Sequence, residues 1–227
     1  KVKTSPVFDE QKTAVLVVDL QSDFTTAENG TLAVPDTDQK FIKKVSDGTL
    51  LLKNQGFTIF GTQDWHPANH ISFAMSHPGK RPFETLQIRG RKQALWPSHC
   101  VQETDGAKIL LDNTIFQAII QKGQNTEFDS YSGFKDDGGA RTELDVILKN
   151  AGVRKLIIYG IATDYCVKAT AMDAVKNGYK VVVIEGLSKG VAPDTTTKTL
   201  EEMKAKGILI LKNIDMAKIK AVQSCVI

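Results

Sequence analysis

The stretch "DWHPANH", Asp64 to His70, holds two of the four histidines and begins with a carboxylate. In extended backbone, residues two apart face the same side, so Asp64 and His66 point together while Trp65 points away. One carboxylate oxygen and one imidazole nitrogen make either half of a metal site or a hydrogen-bonded pair at the start of a loop. Further ligands would come from His70, His77 or His99. A helical turn opening at Pro67 brings His66 and His70 to one side, whereas His77, in "SHPGK", reads as a solvated turn residue.

A second reactive stretch is "GIATDYC". A strand breaks at Gly160 and a helix starts near Thr163, whose hydroxyl is placed to cap it. Cys166 then falls in the first turn, where free N–H groups and the helix dipole favour a thiolate and can hold an oxyanion. The alternative is a small apolar core residue; the strand–turn–nucleophile–helix order favours the nucleophile. Asp19 closes the apolar run of "VLVVDLQSDF". It is costly to desolvate unless it is paired or faces a cleft, and a capping role is the other reading. Asp23 reads as a turn or cap residue that orders the loop. Lys122 ends "IIQK" and either snorkels to water or pairs with Asp19, if both strand ends open into one cleft.

The elements that must position these residues are legible as a repeat. Apolar runs at 14–18, 57–61, 116–121, 156–161, 181–184 and 208–211 do not alternate, as strands buried on both faces require. Helical spacing over 38–54, 140–151, 163–177 and 193–206 separates them, and each helix is followed by a glycine at or just past its end. This order predicts an α/β fold of three layers, α/β/α, with a mainly parallel sheet of about six strands. One domain over 1–227 is expected, with an irregular loop at about 64–100; the segments 67–97 and 123–139 are irregular enough to belong to an active site. Ligands in such sheets bind at the carboxyl ends of the strands.

Composition narrows the function classes. A net charge of +3 is too small to argue for nucleic acid, and the basic cluster Arg89-Gly90-Arg91-Lys92 reads as a solvated loop. No apolar run approaches the roughly 20 residues of a membrane span, so no membrane partner is expected. The first residues carry no apolar h-region, so no signal peptide is expected. The terminal "SCVI" fails as a prenylation site, because its cysteine is third from the end. The odd set Cys100, Cys166 and Cys225 suggests reduced thiols and a cytoplasmic protein.

Together, "VVDLQSDF", "TQDWHPANHISFA", "WPSHC", Lys122-Gly123, "YSGF" and "GIATDYCV" resemble the isochorismatase-like cysteine hydrolases. The "DWHP…WPSHC" pair points within them to the nicotinamidases (pyrazinamidases). The resemblance spans nearly the whole chain. It implies a catalytic triad of Asp19, Lys122 and Cys166, and a divalent metal, zinc with iron or manganese as alternatives, held by Asp64, His66 and His99. It also implies that Phe24, Trp96 and Tyr165 pack around a pyridine ring, with Tyr165 standing where relatives carry histidine. Ile161-Ala162 matches a peptide that is cis in the family, and the Ala162 and Cys166 N–H groups would face an oxyanion. The implied substrates are nicotinamide and pyrazinamide, in NAD salvage. His70 is the nearest match to a further histidine ligand in some members, at a shorter spacing from His66. Homo-oligomerisation is left open.

Overall fold

The computed structural model describes residues 13–222; Cys225 and the amino-terminal dozen residues lie outside them. Six parallel strands form one sheet: β1 (Thr13–Val18), β2 (Thr58–Asp64), β5 (Ala118–Lys122), β6 (Lys155–Gly160), β7 (Lys180–Ile184) and β8 (Leu209–Leu211). Their order across the sheet is β5-β2-β1-β6-β7-β8. Every residue of β1 and of β6 is buried, which is why their sequences run apolar without alternation.

The two-residue period of a strand still sorts those side chains. Val15 and Val17 pack with Phe41, Val45 and Leu52 of α1 (Gln39–Asn54) and with Ile219 of α5 (Met216–Ala221). Ala14, Leu16 and Val18 face the opposite layer. There they meet Leu144 and Leu148 of α2 (Leu144–Asn150), Ala171 of α3 (Lys168–Lys176) and Met203 of α4 (Pro193–Ala205). Asp38 starts α1 by accepting the Phe41 N–H at 2.9 Å. The three-layer α/β/α fold is as the sequence pattern requires. Among the described residues no helix is long and apolar enough to cross a membrane.

Several expected boundaries move. The segment 67–97 is not wholly irregular: β3 (Thr85–Ile88) and β4 (Arg91–Ala94) form an antiparallel hairpin. Arg89 and Gly90 are its turn, both with positive φ. Nor is the basic cluster simply solvated, since Arg89 pairs with Glu127 at 2.7 Å and Arg91 lies over the Phe128 ring at 4.5 Å. The helix expected over 140–151 starts only at Leu144, because Thr142 turns its hydroxyl back to the Gly133 carbonyl at 2.6 Å. The short α5, capped by Asp215 on the Lys218 N–H at 3.1 Å, has too little periodic sequence to read in advance.

Candidate active site

The carboxyl ends of β5, β2, β1 and β6, four neighbours in the sheet, carry Lys122, Asp64, Asp19 and the turn to Cys166. Asp64 and Lys122 are register partners. Asp19 follows β1 with φ 46°, in the left-handed region. Its N–H reaches Thr62, whose hydroxyl donates to Asp19 Oδ1 at 2.7 Å. Past β6 the chain makes a cis Ile161-Ala162 peptide. Gly160 is needed just before it: with φ 138°, a Cβ there would collide with the Val18 carbonyl.

Lys122 is at the centre. Its Nζ lies 2.9 Å from Asp19 Oδ2, 2.5 Å from Asp64 Oδ1, 2.7 Å from the Ser130 carbonyl and 3.6 Å from Cys166 Sγ. It does not snorkel; its side chain is fully buried. Cys166 Sγ and one oxygen each of Asp19 and Asp64 all lie within 4.8 Å of one another. Burial disfavours the Lys122 cation, but Asp19 and Asp64 outweigh it and hold the ammonium well above its ordinary value. Burial raises the Asp19 carboxyl, against the pull of Lys122. Burial also drives the Cys166 thiol well above its usual range, with Lys122 opposing and Asp19 adding to the rise. The lowered thiol value expected from the helix position is therefore not found: burial and Asp19 raise it, with Lys122 opposing.

The local helix differs from expectation as well. Thr163–Val167 is a π-helical turn ahead of α3, and its N-cap is Ala162 with no side-chain cap; Thr163 does not cap it. Asp164 fastens this turn to α4, accepting from Val191 N–H at 2.9 Å, Ala192 N–H at 3.3 Å and the Thr195 hydroxyl at 2.5 Å. The Ala162 N–H donates to no carbonyl among the described residues, which leaves it for a ligand.

Beside the triad, Asp64, His66 and His99 bring one donor atom each within 4.8 Å of the others. His66 Nδ1 lies 2.8 Å from the Gly123 carbonyl and His99 Nδ1 2.7 Å from the Pro97 carbonyl. A carbonyl only accepts, so both Nδ1 atoms carry a proton, and each ring turns its Nε2 toward Asp64 Oδ2, at 3.3 Å from His66 and 4.0 Å from His99. His66 Nε2 is buried without a hydrogen-bond partner, 3.3 Å from Asp64 Oδ2. Burial and the neighbouring His66 lower His99 to about 4, so it is a neutral donor at pH 7. Burial works against the Asp64 carboxylate, but Lys122, His66 and His99 outweigh it and keep the group below the ordinary range. One anionic oxygen and two imidazole nitrogens, one of them an orphan, fit a divalent metal ion.

His70 does stack on His66, with centroids 4.2 Å apart. Both its nitrogens are engaged, Nδ1 with the Ser72 hydroxyl at 2.7 Å and Nε2 with the Phe128 carbonyl at 3.0 Å, so it supports the site without offering a lone pair. His77 is half-buried and donates to the Ile71 carbonyl at 2.7 Å, not solvated as expected. Asp23 orders the loop at longer range than a turn residue would, accepting the Cys100 N–H at 2.8 Å. Cys100 is fully buried, and burial raises its thiol well above the ordinary value.

A cavity of about 550 Å³ opens over these groups, and Phe24, Trp96, Ala162, Tyr165, Asp64, His99 and Cys166 all line it. Trp96 meets Tyr165 edge-on at 5.3 Å, and Phe24 lies 5.5 Å from His99. Sequence reasoning passed over Tyr131, whose hydroxyl accepts from Trp96 Nε1 at 3.2 Å, and the hairpin residues Phe83 and Thr85. It also passed over Phe73, buried 5.6 Å from His66 and 5.3 Å from His99. Tyr131 sits in "YSGF" and Phe73 in "NHISFA", so the signal lay inside stretches already singled out.

The chain belongs to the isochorismatase family, whose domain profile matches residues 13–214. More particularly, it is 42% identical over 202 residues to the Escherichia coli (strain K12) nicotinamidase, covering 86% of this chain and 92% of that protein. It superposes on the Pyrococcus horikoshii pyrazinamidase in complex with zinc with a TM-score of 0.74 at 40% identity, over 88% of this chain and 98% of the other. The yeast nicotinamidase bound to the inhibitor nicotinaldehyde matches with a TM-score of 0.79 at 32% identity, over 88% and 99%.

Proposed function

We propose that this chain is a nicotinamidase, a cysteine amidohydrolase that converts nicotinamide to nicotinate and ammonia and also takes pyrazinamide. The observation that carries this reading is the convergence of Asp19, Lys122 and Cys166 directly beside the Asp64, His66 and His99 donors, with Cys166, Asp64 and His99 lining one cavity.

Asp19 takes the Cys166 proton as the sulfur attacks the carboxamide carbon, and Lys122, 3.6 Å from Sγ, stabilises the forming thiolate. The C–S bond forms, and the oxyanion accepts from the Ala162 and Cys166 N–H groups. Asp19 passes its proton to the amide nitrogen, the C–N bond breaks and ammonia leaves. Water then attacks the thioester while Asp19 takes its proton; the C–S bond breaks, the thiol is restored and nicotinate departs. Asp64, His66 and His99 would hold a divalent ion, zinc on the strength of the donor set and the zinc-bound relative, which would supply Lewis acidity toward the ring nitrogen. Phe24, Trp96 and Tyr165 hold the ring in place, and orientation of this kind is worth several kcal/mol.

The cytoplasm, which keeps a thiol nucleophile reduced, and a role in NAD salvage complete the reading. Ammonia release from nicotinamide, with and without chelator, tests it. Chelator-sensitive release is expected, and a protein inert to nicotinamide with metal supplied would refute the assignment.

A further inference from the structure

The outer edge of the cavity carries a residue in an unfavourable conformation. Phe83, just before β3, has φ 73°, in a region that penalises any residue with a Cβ and that glycine adopts freely. Its side chain is 70% exposed, so burial does not offset the strain. The backbone is pinned there, with the Phe83 N–H donating to the Leu95 carbonyl at 2.6 Å and the Leu95 N–H to the Glu84 carbonyl at 2.9 Å. Yet the ring lines the cavity and meets Trp96 edge-on at 6.2 Å. Trp96 in turn meets Tyr165 of the nucleophile turn at 5.3 Å. Phe83 is the solvent end of an aromatic row that begins beside Cys166.

The ring chemistry of the substrate decides which edge meets it. In nicotinamide, N1 and the carboxamide-bearing C3 flank C2, and C5 stands diametrically opposite C2. Both anchors, the Asp64/His66/His99 donors and Cys166, are buried, whereas Phe83 is exposed on the same cavity. With N1 and the carboxamide held by the buried groups, C2 turns toward them and C5 turns away, toward the exposed edge. We infer that Phe83 is a specificity-determining residue that covers the C5 edge of the bound ring, favouring unsubstituted nicotinamide over nicotinamides substituted at C5. The inference rests on the nicotinamidase reading above. Contact with an edge remote from the reacting carbon is the same in ground and transition states, so it acts on KM and not on kcat.

The test compares wild type, Phe83→Ala and Phe83→Gly, each loaded with metal, by ammonia release from nicotinamide and from 5-ethylnicotinamide, together with Tm. In both variants KM for nicotinamide rises about 5- to 20-fold with kcat within about twofold. The kcat/KM ratio of 5-ethylnicotinamide to nicotinamide rises about tenfold. The glycine variant, relieved of its backbone strain, melts at or above wild type. A purely structural role would lower Tm and leave the substrate ratio unmoved. Unchanged KM and substrate ratio in Phe83→Ala, or failure of Phe83→Gly to fold, overturns this inference alone. A wild type inert to nicotinamide overturns the functional reading and this inference with it.

Discussion

A lysine ammonium taken out of water persists only if acceptors replace the water, and Lys122 has two carboxylates and the Ser130 carbonyl. In the proposed mechanism Asp19 is the group whose protonation gates the reaction. It must be ionised to take the Cys166 proton, and burial has raised its value above the ordinary aspartate range. Activity is therefore lost as pH falls through that raised value. The acid limb of kcat/KM should be centred above the value of about 3.9 that an exposed aspartate shows. A limb at or below it would remove Asp19 from the role. Gly123, which follows Lys122, makes a second prediction. Its φ is 68°, and a Cβ there would overlap the His66 imidazole, whose Nδ1–H its own carbonyl receives. Gly123→Ala should weaken metal binding by about 10- to 100-fold, read as metal retained per chain after dialysis.

At the scale of elements, the nucleophile turn owes its position to α4 as much as to β6. Asp164 accepts three hydrogen bonds, from Val191 and Ala192 leading into α4 and from Thr195 in its first turn, and lies two residues before Cys166. Asp164→Ala leaves those donors without their acceptor and should destabilise the fold by about 2–4 kcal/mol, seen as a lower denaturation midpoint at unchanged m. It should also lower kcat while the protein still binds its metal. Normal kcat in this variant would show that the turn holds its shape without the clamp. The hairpin β3–β4, like α5, is an element that sequence reading missed. Its strands are four residues each and only partly buried, so they carry no sustained apolar pattern.

At the scale of the molecule, the chain builds outward from β1 through β2 to β5, then returns to lay β6, β7 and β8 on the other side. The crevice opens where that direction reverses, between the ends of β1 and β6, as expected for ligand sites in parallel sheets. The proposed metal donors come from the end of β2 (Asp64), from just beyond it (His66) and from the loop after β4 (His99), so a bound ion would tie distant segments together only in the folded state. Metal at about a hundredfold above its Kd stabilises by roughly 2.7 kcal/mol. In a chain of this size chelation should lower Tm by about 5–10 °C. An unchanged Tm after verified metal removal would contradict ligation by these buried groups.

The sequence alone determined the six strands, most plainly β1 and β6, which are wholly buried and therefore run apolar without alternation. It also marked the polar residues at or beyond the apolar runs, Asp19, Asp64 and Lys122. Only the tertiary structure decided that β5, β2, β1 and β6 are neighbours, since strand order depends on where each crossover lands and not on local pattern. That order brings Lys122, Asp64, Asp19 and Cys166 together. Their electrostatics followed from the contact: the helix start favours a thiolate, but burial and the adjacent Asp19 raise the Cys166 thiol against the pull of Lys122.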